Sequence, residues 1–193
     1  MSKTKTFILL LLAMSVVSGC TTAVVGGAAT GLAVVHDRRS TGVVIDDQEI
    51  EINAFRLKYE NKDISERSKI TATSYNLQVL LTGQAESQAV VDKYTALLSR
   101  LPRIKKIQNH VKIGAESTLT ESTTDAYLTS RAKLALFDVD LPDFDPSRIK
   151  VVTSQDIVYL MGLVTRREAA EAADKVRYVS GVKGVVKVFE YID

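Results

Sequence analysis

The chain repeats itself. At an offset of 79 residues, Ile70 to Gln84 (ITATSYNLQVLLTGQ) aligns with Ile149 to Leu163 (IKVVTSQDIVYLMGL), so that Ile70 meets Ile149, Val79 meets Val158, Leu81 meets Leu160 and Gly83 meets Gly162. Farther on, Leu98, Leu101, Ile104 and Ile107 meet Val176, Val179, Val182 and Val185 at an offset of 78, so one residue is gained or lost in the helix between. A period of this length means that one supersecondary unit is used twice. Any fold for this chain must therefore be explicable in half of it.

Each copy reads as helix, two strands, helix, strand. The first helices run from Asp46 to about Tyr59 and from Thr124 to about Phe137, with Asp46-x-x-Glu49 and Ser122-x-x-Asp125 as start signals. In the second copy Pro142 and Pro146 keep the following loop from continuing the helix. Short strands come next, near 70–73 with 77–82 and near 149–152 with 157–161, each pair closed by a turn-like joint and ended by Gly83 or Gly162. Thr165-Arg166-Arg167-Glu168 is a capping box that opens a second helix. Ala169, Ala172, Ala173 and Val176 form its apolar stripe. Aliphatic strands, Ile107 to Ile113 and Val185 to Ile192, close the copies. The predicted fold class is α+β: two tandem modules, each α-β-β-α-β, with two helices packed on a three-stranded mixed sheet. The polar segment 114–123 is the predicted linker between modules at 42–113 and 124–193.

The N-terminus carries a different kind of information. Lys3 and Lys5 precede the apolar run Phe7 to Met14, and small residues lead up to Cys20. This is a signal-peptide layout over residues 1–19, with an apolar run too short to span a bilayer. Val17-Ser18-Gly19-Cys20 resembles the bacterial lipobox, in which the cysteine thiol receives diacylglycerol, and Cys20 is the sole cysteine of the chain. Two or more acyl chains at ~0.8 kcal/mol per buried methylene would make a lasting anchor. Thr21 rather than Asp after the cysteine implies, by resemblance to Gram-negative lipoproteins, export to the outer membrane. Residues 20–41 are read as the lipidated end and a tether rich in Ala, Gly and Val, leaving the membrane surface at His36 to Ser40.

Composition narrows the function. Without Lys3 and Lys5 the chain has 23 bases against 23 acids, a balance unsuited to sequence-independent nucleic-acid binding. One Cys and two His cannot build an ordinary zinc site. Asp138, Asp140, Asp143 and Asp145 lack the Gly and terminal Glu of a calcium loop and read as a solvated turn. His110, the one histidine inside a module, has no base or nucleophile partner in the pattern. The sequence predicts no enzyme, no metal and no cofactor.

The residues that resemble a known family are Val158 to Glu168 (VYLMGLVTRRE) and Val179 to Val186 (VSGVKGVV), a hairpin ending near a Gly, an Ala-rich helix and a Val-Lys-x-Val-Val strand. They resemble the BON family. In the first copy Pro102 and Arg103 replace Ser180 and Gly181, a more divergent version. With the signal and lipobox, the whole chain is similar to outer-membrane lipoproteins that carry two BON modules. The resemblance implies a lipid-anchored protein facing the periplasm that binds anionic phospholipid through its second module, supports outer-membrane integrity and gathers at division sites.

The charge pattern suggests where lipid would bind. Residues 121–146 carry six acids and two bases, whereas residues 165–192 carry six bases and four acids. The candidate contacts are Arg166, Arg167, Lys175, Arg177 and Tyr178, with Tyr127 either part of the same surface or a packing aromatic. The partners expected are phosphatidylglycerol and cardiolipin. The alternative is a periplasmic adaptor for envelope-assembly proteins, using helix faces or strand edges.

Overall fold

The computed structural model describes residues 37–114 and 119–193. The signal segment, Cys20 and the tether up to residue 36 lie outside the described residues, as do positions 115–118 of the linker. Each module has the predicted order, and both belong to one compact unit. In the first, α1 (Thr41–Glu60) and a short α2 (Lys62–Ser65) precede β1 (Ser68–Tyr75), β2 (Gln78–Ala85), α3 (Gln88–Leu98), β3 (Lys106–Asn109) and β4 (Lys112–Ile113). In the second, α4 (Leu119–Ala135) and two 3-10 turns precede β5 (Ile149–Ser154), β6 (Ile157–Val164), α5 (Arg166–Arg177) and β7 (Gly184–Tyr191).

The sheets are mixed. β1 and β2 pair antiparallel, as do β5 and β6, while the last strand of each module runs parallel to the second. A parallel partner needs a crossover, and α3 and α5 supply it. The repeat survives in the register: Ile70 faces Gly83 and Ile149 faces Gly162, while Val79 sits beside Ile107 and Val158 beside Val185. The strands run on past both glycines. A Cβ on Gly83, whose φ is +108°, would lie 2.1 Å from the Lys69 carbonyl oxygen. At Gly162 it would lie 2.8 Å from that of Arg148. The glycines are there because neighbouring backbone comes too close for a side chain.

The starts of the first helices differ from expectation. α1 begins at Thr41, capped by Ser40, whose Oγ accepts from the Val43 N–H at 3.3 Å. Asp46, expected as the cap, lies inside the helix and pairs with Arg103. Asp47 and Asp125 also lie within helices, where each holds a hairpin. Asn76 and Leu77 have φ of 52° and 67°, and Gln155 and Asp156 have 54° and 62°, so neither turn uses glycine. Two successive residues of positive φ make the turn that suits strand twist, at a cost of ~1–2 kcal/mol per non-glycine residue. The carboxylates offset it. Asp47 accepts from the N–H groups of Asn76 and Leu77, both at 2.8 Å. Asp125 accepts from those of Gln155 and Asp156, both at 2.9 Å. The donors lie about thirty residues along the chain, so local spacing reads Asp125 as part of a helix-start signal and gives no sign of what Asp47 does.

Both faces of β6 are covered. Val158, Leu160 and Val164 point into the second module's core with Ala132, Leu136, Ala169, Ala172 and Val176. Tyr159, Met161 and Leu163 point the other way, into a cluster with Val188 and with Tyr75 and Leu80 of the first module. The modules therefore meet back to back through their sheets. Polar contacts rim this seam. Tyr75 Oη donates to the Arg148 carbonyl at 3.0 Å, Asn76 and Gln78 donate to Glu190, and Lys150 bonds Glu51 at 2.7 Å. The His110 ring meets Tyr159 edge-on with centroids 5.1 Å apart. His110 also marks a break: the first module's last strand, expected as one run, is interrupted at His110-Val111 and makes the sheet four-stranded.

Candidate lipid-facing surface

The capping box at the start of α5 forms as predicted: Thr165 accepts from the Glu168 N–H while Glu168 accepts from the Thr165 N–H. The stripe Ala169, Ala172 and Val176 is buried. This fixes which residues of α5 look outward: Arg167, Glu171, Asp174, Arg177 and Tyr178. The predicted cationic face is thus interleaved with acids. Arg177 pairs with Asp174 at 3.1 Å, stacks over the Tyr178 ring at 4.6 Å and donates to its hydroxyl. Tyr178 is 71% exposed. Lys175 lies on the flank, half-buried. Arg166 stands over the Tyr191 ring at 4.6 Å, and its backbone N–H donates to Asp193. Arg166 and Arg177 are eleven positions apart, about 16 Å along the helix. The structure therefore does not gather the six candidates into one patch.

It gathers another set instead. Tyr127 is 60% exposed and is not a core aromatic. Leu128, Ala132 and Leu136 take the inward face of α4, so 3.6-residue periodicity turns Tyr127, Arg131 and Leu134 outward. Leu134 and Phe137 are 61% and 72% exposed. From Ala126 to Phe137 there is no acid, and Arg131 and Lys133 are both exposed. Asp125, the acid just before, is turned in to the hairpin. A groove of about 410 Å³ lined by Lys133, Leu136, Phe137, Pro146 and Ile149, with Asp145 and Ser147 at its polar side, lies next to this run. The segment after α5 packs against α4, with Gly181 against Leu128 on the buried side of that helix. Arg177 and Tyr178 stand at the end of α5 nearer that contact, and Arg166 and Arg167 at the other end. The signal that could have pointed to α4 is the run from Ala126 to Phe137 without an acid. A charge count over residues 121–146 hides it, since most of those acids sit in the loop.

The BON domain profile matches residues 55–115 and 124–193. The chain belongs to the BON domain family. Its two BON domains are the two modules of the fold. Over 193 residues it is 34% identical to the outer membrane lipoprotein DolP of Haemophilus influenzae, covering 100% of this chain and 99% of that one. It is 27% identical to a 21 kDa hemolysin of Actinobacillus pleuropneumoniae over 156 residues, 81% of this chain and 79% of that one. Among solved structures, CdsD, a structural protein of the type III secretion system of Chlamydia trachomatis, aligns with 76% of this chain and 63% of that one at 13% identity and a TM-score of 0.30, too distant to bear on fold or function. The full-length match makes this BON protein an outer-membrane lipoprotein. No helix among the described residues is long and apolar enough to cross a membrane.

Proposed function

We propose that this lipoprotein faces the periplasm, held by acyl chains on Cys20 after removal of residues 1–19, and that its second BON domain binds anionic phospholipid. The reading places a tether from Cys20 to the point where the chain enters the fold at Asp37, two BON domains, and between them a linker from residue 114 to the start of α4 at Leu119. Binding there would support outer-membrane integrity and recruitment to division sites, with no reaction catalysed. One observation carries the reading: from Ala126 to Phe137 the outward side of α4 and the start of the turn after it combine exposed Tyr127, Leu134 and Phe137 with Arg131 and Lys133, and the first acid beyond them is exposed Asp138. Aromatic rings suit the headgroup level, and each base near an anionic surface contributes ~1 kcal/mol. Arg177 and Tyr178 extend this surface, with Lys175 at its flank. Arg166 and Arg167 contribute at its far margin or through the general field.

The test is sedimentation of a non-acylated chain beginning at residue 37 with vesicles of phosphatidylcholine containing phosphatidylglycerol or cardiolipin. Replacing Arg131 and Lys133 by Gln should weaken binding about 30-fold, from ~1 kcal/mol per charge. Tyr127→Glu should weaken it further. Unchanged binding by both variants sinks the reading. Loss only when Arg166, Arg167 and Lys175 are reversed to Glu would move the site to α5.

A second reading rests on the other domain. Ile45, Ile52, Phe55 and Tyr59 form an exposed apolar stripe on α1 that carries both an acid, Glu49, and a base, Arg56, unlike the acid-free run of α4. An acid on such a stripe opposes an anionic bilayer and suits a protein, as an adaptor for envelope assembly requires.

A further inference from the structure

We infer that Asp37, Arg38 and Arg39 form a clasp that fastens the two BON domains together where the chain enters the fold. The polar residues after the tether look from sequence like its solvated end. In the structure Arg38 reaches the second domain and Arg39 the first. Arg38 makes a fork to Glu168 at 2.7 and 2.8 Å and donates to the Leu163 carbonyl at 2.9 Å. Arg39 donates to Asp47 at 2.8 Å and lies over the Tyr75 ring at 3.8 Å. Asp37 folds back and braces the Arg39 guanidinium at 2.7 Å.

Neighbouring residues are tied at a Cα spacing of ~3.8 Å. The domains cannot part without breaking one set of these contacts. Planar, forked pairs of this kind fix geometry as well as adding attraction. The ionic partners are shielded from solvent: the side chains of Asp47 and Glu168 are 5% and 9% exposed, and those of Arg39 and Arg38 13% and 25%. Both carboxylates already have structural work. Asp47 holds the first hairpin turn, and Glu168 completes the capping box of α5. The clasp therefore grips rigid points of each domain, and any pull arriving along the chain from its N-terminal side is delivered to the seam and shared by both. The apolar seam sets the surface on which the domains meet; the clasp sets their angle. This does not depend on the lipid reading.

The experiment uses the whole mature chain with Cys20→Ser, so that spin labels attach only at Glu60→Cys and Glu171→Cys, one in each domain. Pulsed electron resonance then reads the distance distribution between them. The intact clasp should give one narrow distribution. Arg38→Ala with Arg39→Ala should broaden it about twofold or more, as a second relative orientation becomes populated. Glu168→Gln removes the ion pair while leaving an acceptor for the Thr165 N–H, and should broaden it less. A folded double-arginine variant with the original width overturns the clasp. If that variant fails to fold, an unchanged width in Glu168→Gln overturns it.

Discussion

The first helices of the two domains do the same internal work and show different exteriors. Asp47 in α1 and Asp125 in α4 each hold two N–H groups of a glycine-free hairpin turn. Outside, α1 sets Ile45, Ile52, Phe55 and Tyr59 among Glu49, Glu60 and Arg56, whereas α4 and the turn after it set Tyr127, Leu134 and Phe137 beside Arg131 and Lys133. Duplication preserved the positions that close the fold and released those that face outward. The internal match has its own gradation. Asp47 also accepts from Ser74 Oγ at 2.7 Å and from Arg39, beyond the two turn N–H groups that it shares in kind with Asp125. The final strands differ too, continuous in the second domain and broken at His110-Val111 in the first.

The largest expected effects break the internal likeness. Asp47→Ala strands a buried hydroxyl, two N–H groups and part of Arg39, at ~1–3 kcal/mol for each unsatisfied buried group, so unfolding in urea should show a loss of about 4 kcal/mol or complete failure to fold. Asp125→Ala should cost about 2 kcal/mol. Equal losses would show that the extra bonds of Asp47 carry no weight. Gly83→Ala should cost about 3 kcal/mol or more, from positive φ and backbone overlap together, and Gly162→Ala, which meets only the overlap, about 1–2 kcal/mol. Thermal unfolding of the two variants checks the order.

The external difference is tested by exchange. Arg56→Glu on α1 should leave vesicle binding within about twofold, whereas Arg131→Glu on α4 should lower it about 10-fold or more, given ~1 kcal/mol for each base lost or acid gained near an anionic surface. Binding lost equally from both helices would mean that the whole-protein field, rather than one face, attracts the lipid. Raising the salt concentration should weaken the α4 contribution more than that of the buried seam.

The smallest effect is on acid sensitivity. Burial pushes the Glu168 carboxyl up, but hydrogen bonds from Arg38 and from the Thr165 N–H outweigh it and hold the group below its usual range. Asp37 is lowered in the same way, burial being outweighed by its bonds from Arg39. A carboxylate whose folded pKa is depressed stabilises the fold above its unfolded pKa, ~4 for these groups, and that contribution disappears as pH falls through the folded value. The melting temperature should therefore drop between about pH 5 and pH 2, and the drop should be shallower in Arg38→Ala. An identical slope in the variant would show that Arg38 does not set the shift.

Much of the fold could be read from spacing. The repeat placed the hairpins, and the Thr165 to Glu168 box and the alanine stripe placed α5, because each is a local or periodic signal. The helix starts fall at Thr41 and Leu119 rather than at Asp46 and Thr124, because the acids of the two start signals bond elsewhere: Asp46 pairs with Arg103 and Asp125 holds the hairpin turn, and only the fold chooses. The site was read less well. On α5 the spacing pairs Glu171 with Lys175 but does not single out Asp174 as the partner of Arg177, and Tyr127 could not be assigned inward or outward from one helix turn. The seam left a trace: Ile157 to Val164 is apolar at nearly every position, the mark of a strand covered on both faces. Arg38 left none, since its partner Glu168 is 130 residues away.

The shared cluster of Tyr75, Leu80, Tyr159, Met161, Leu163 and Val188 has a consequence for descent. After a segment is copied, each copy is ordinarily free to drift alone. Here the back of one sheet is the environment of the other, so a larger side chain at Met161 must be answered at Leu80 or Tyr75. The two halves inherit as a pair.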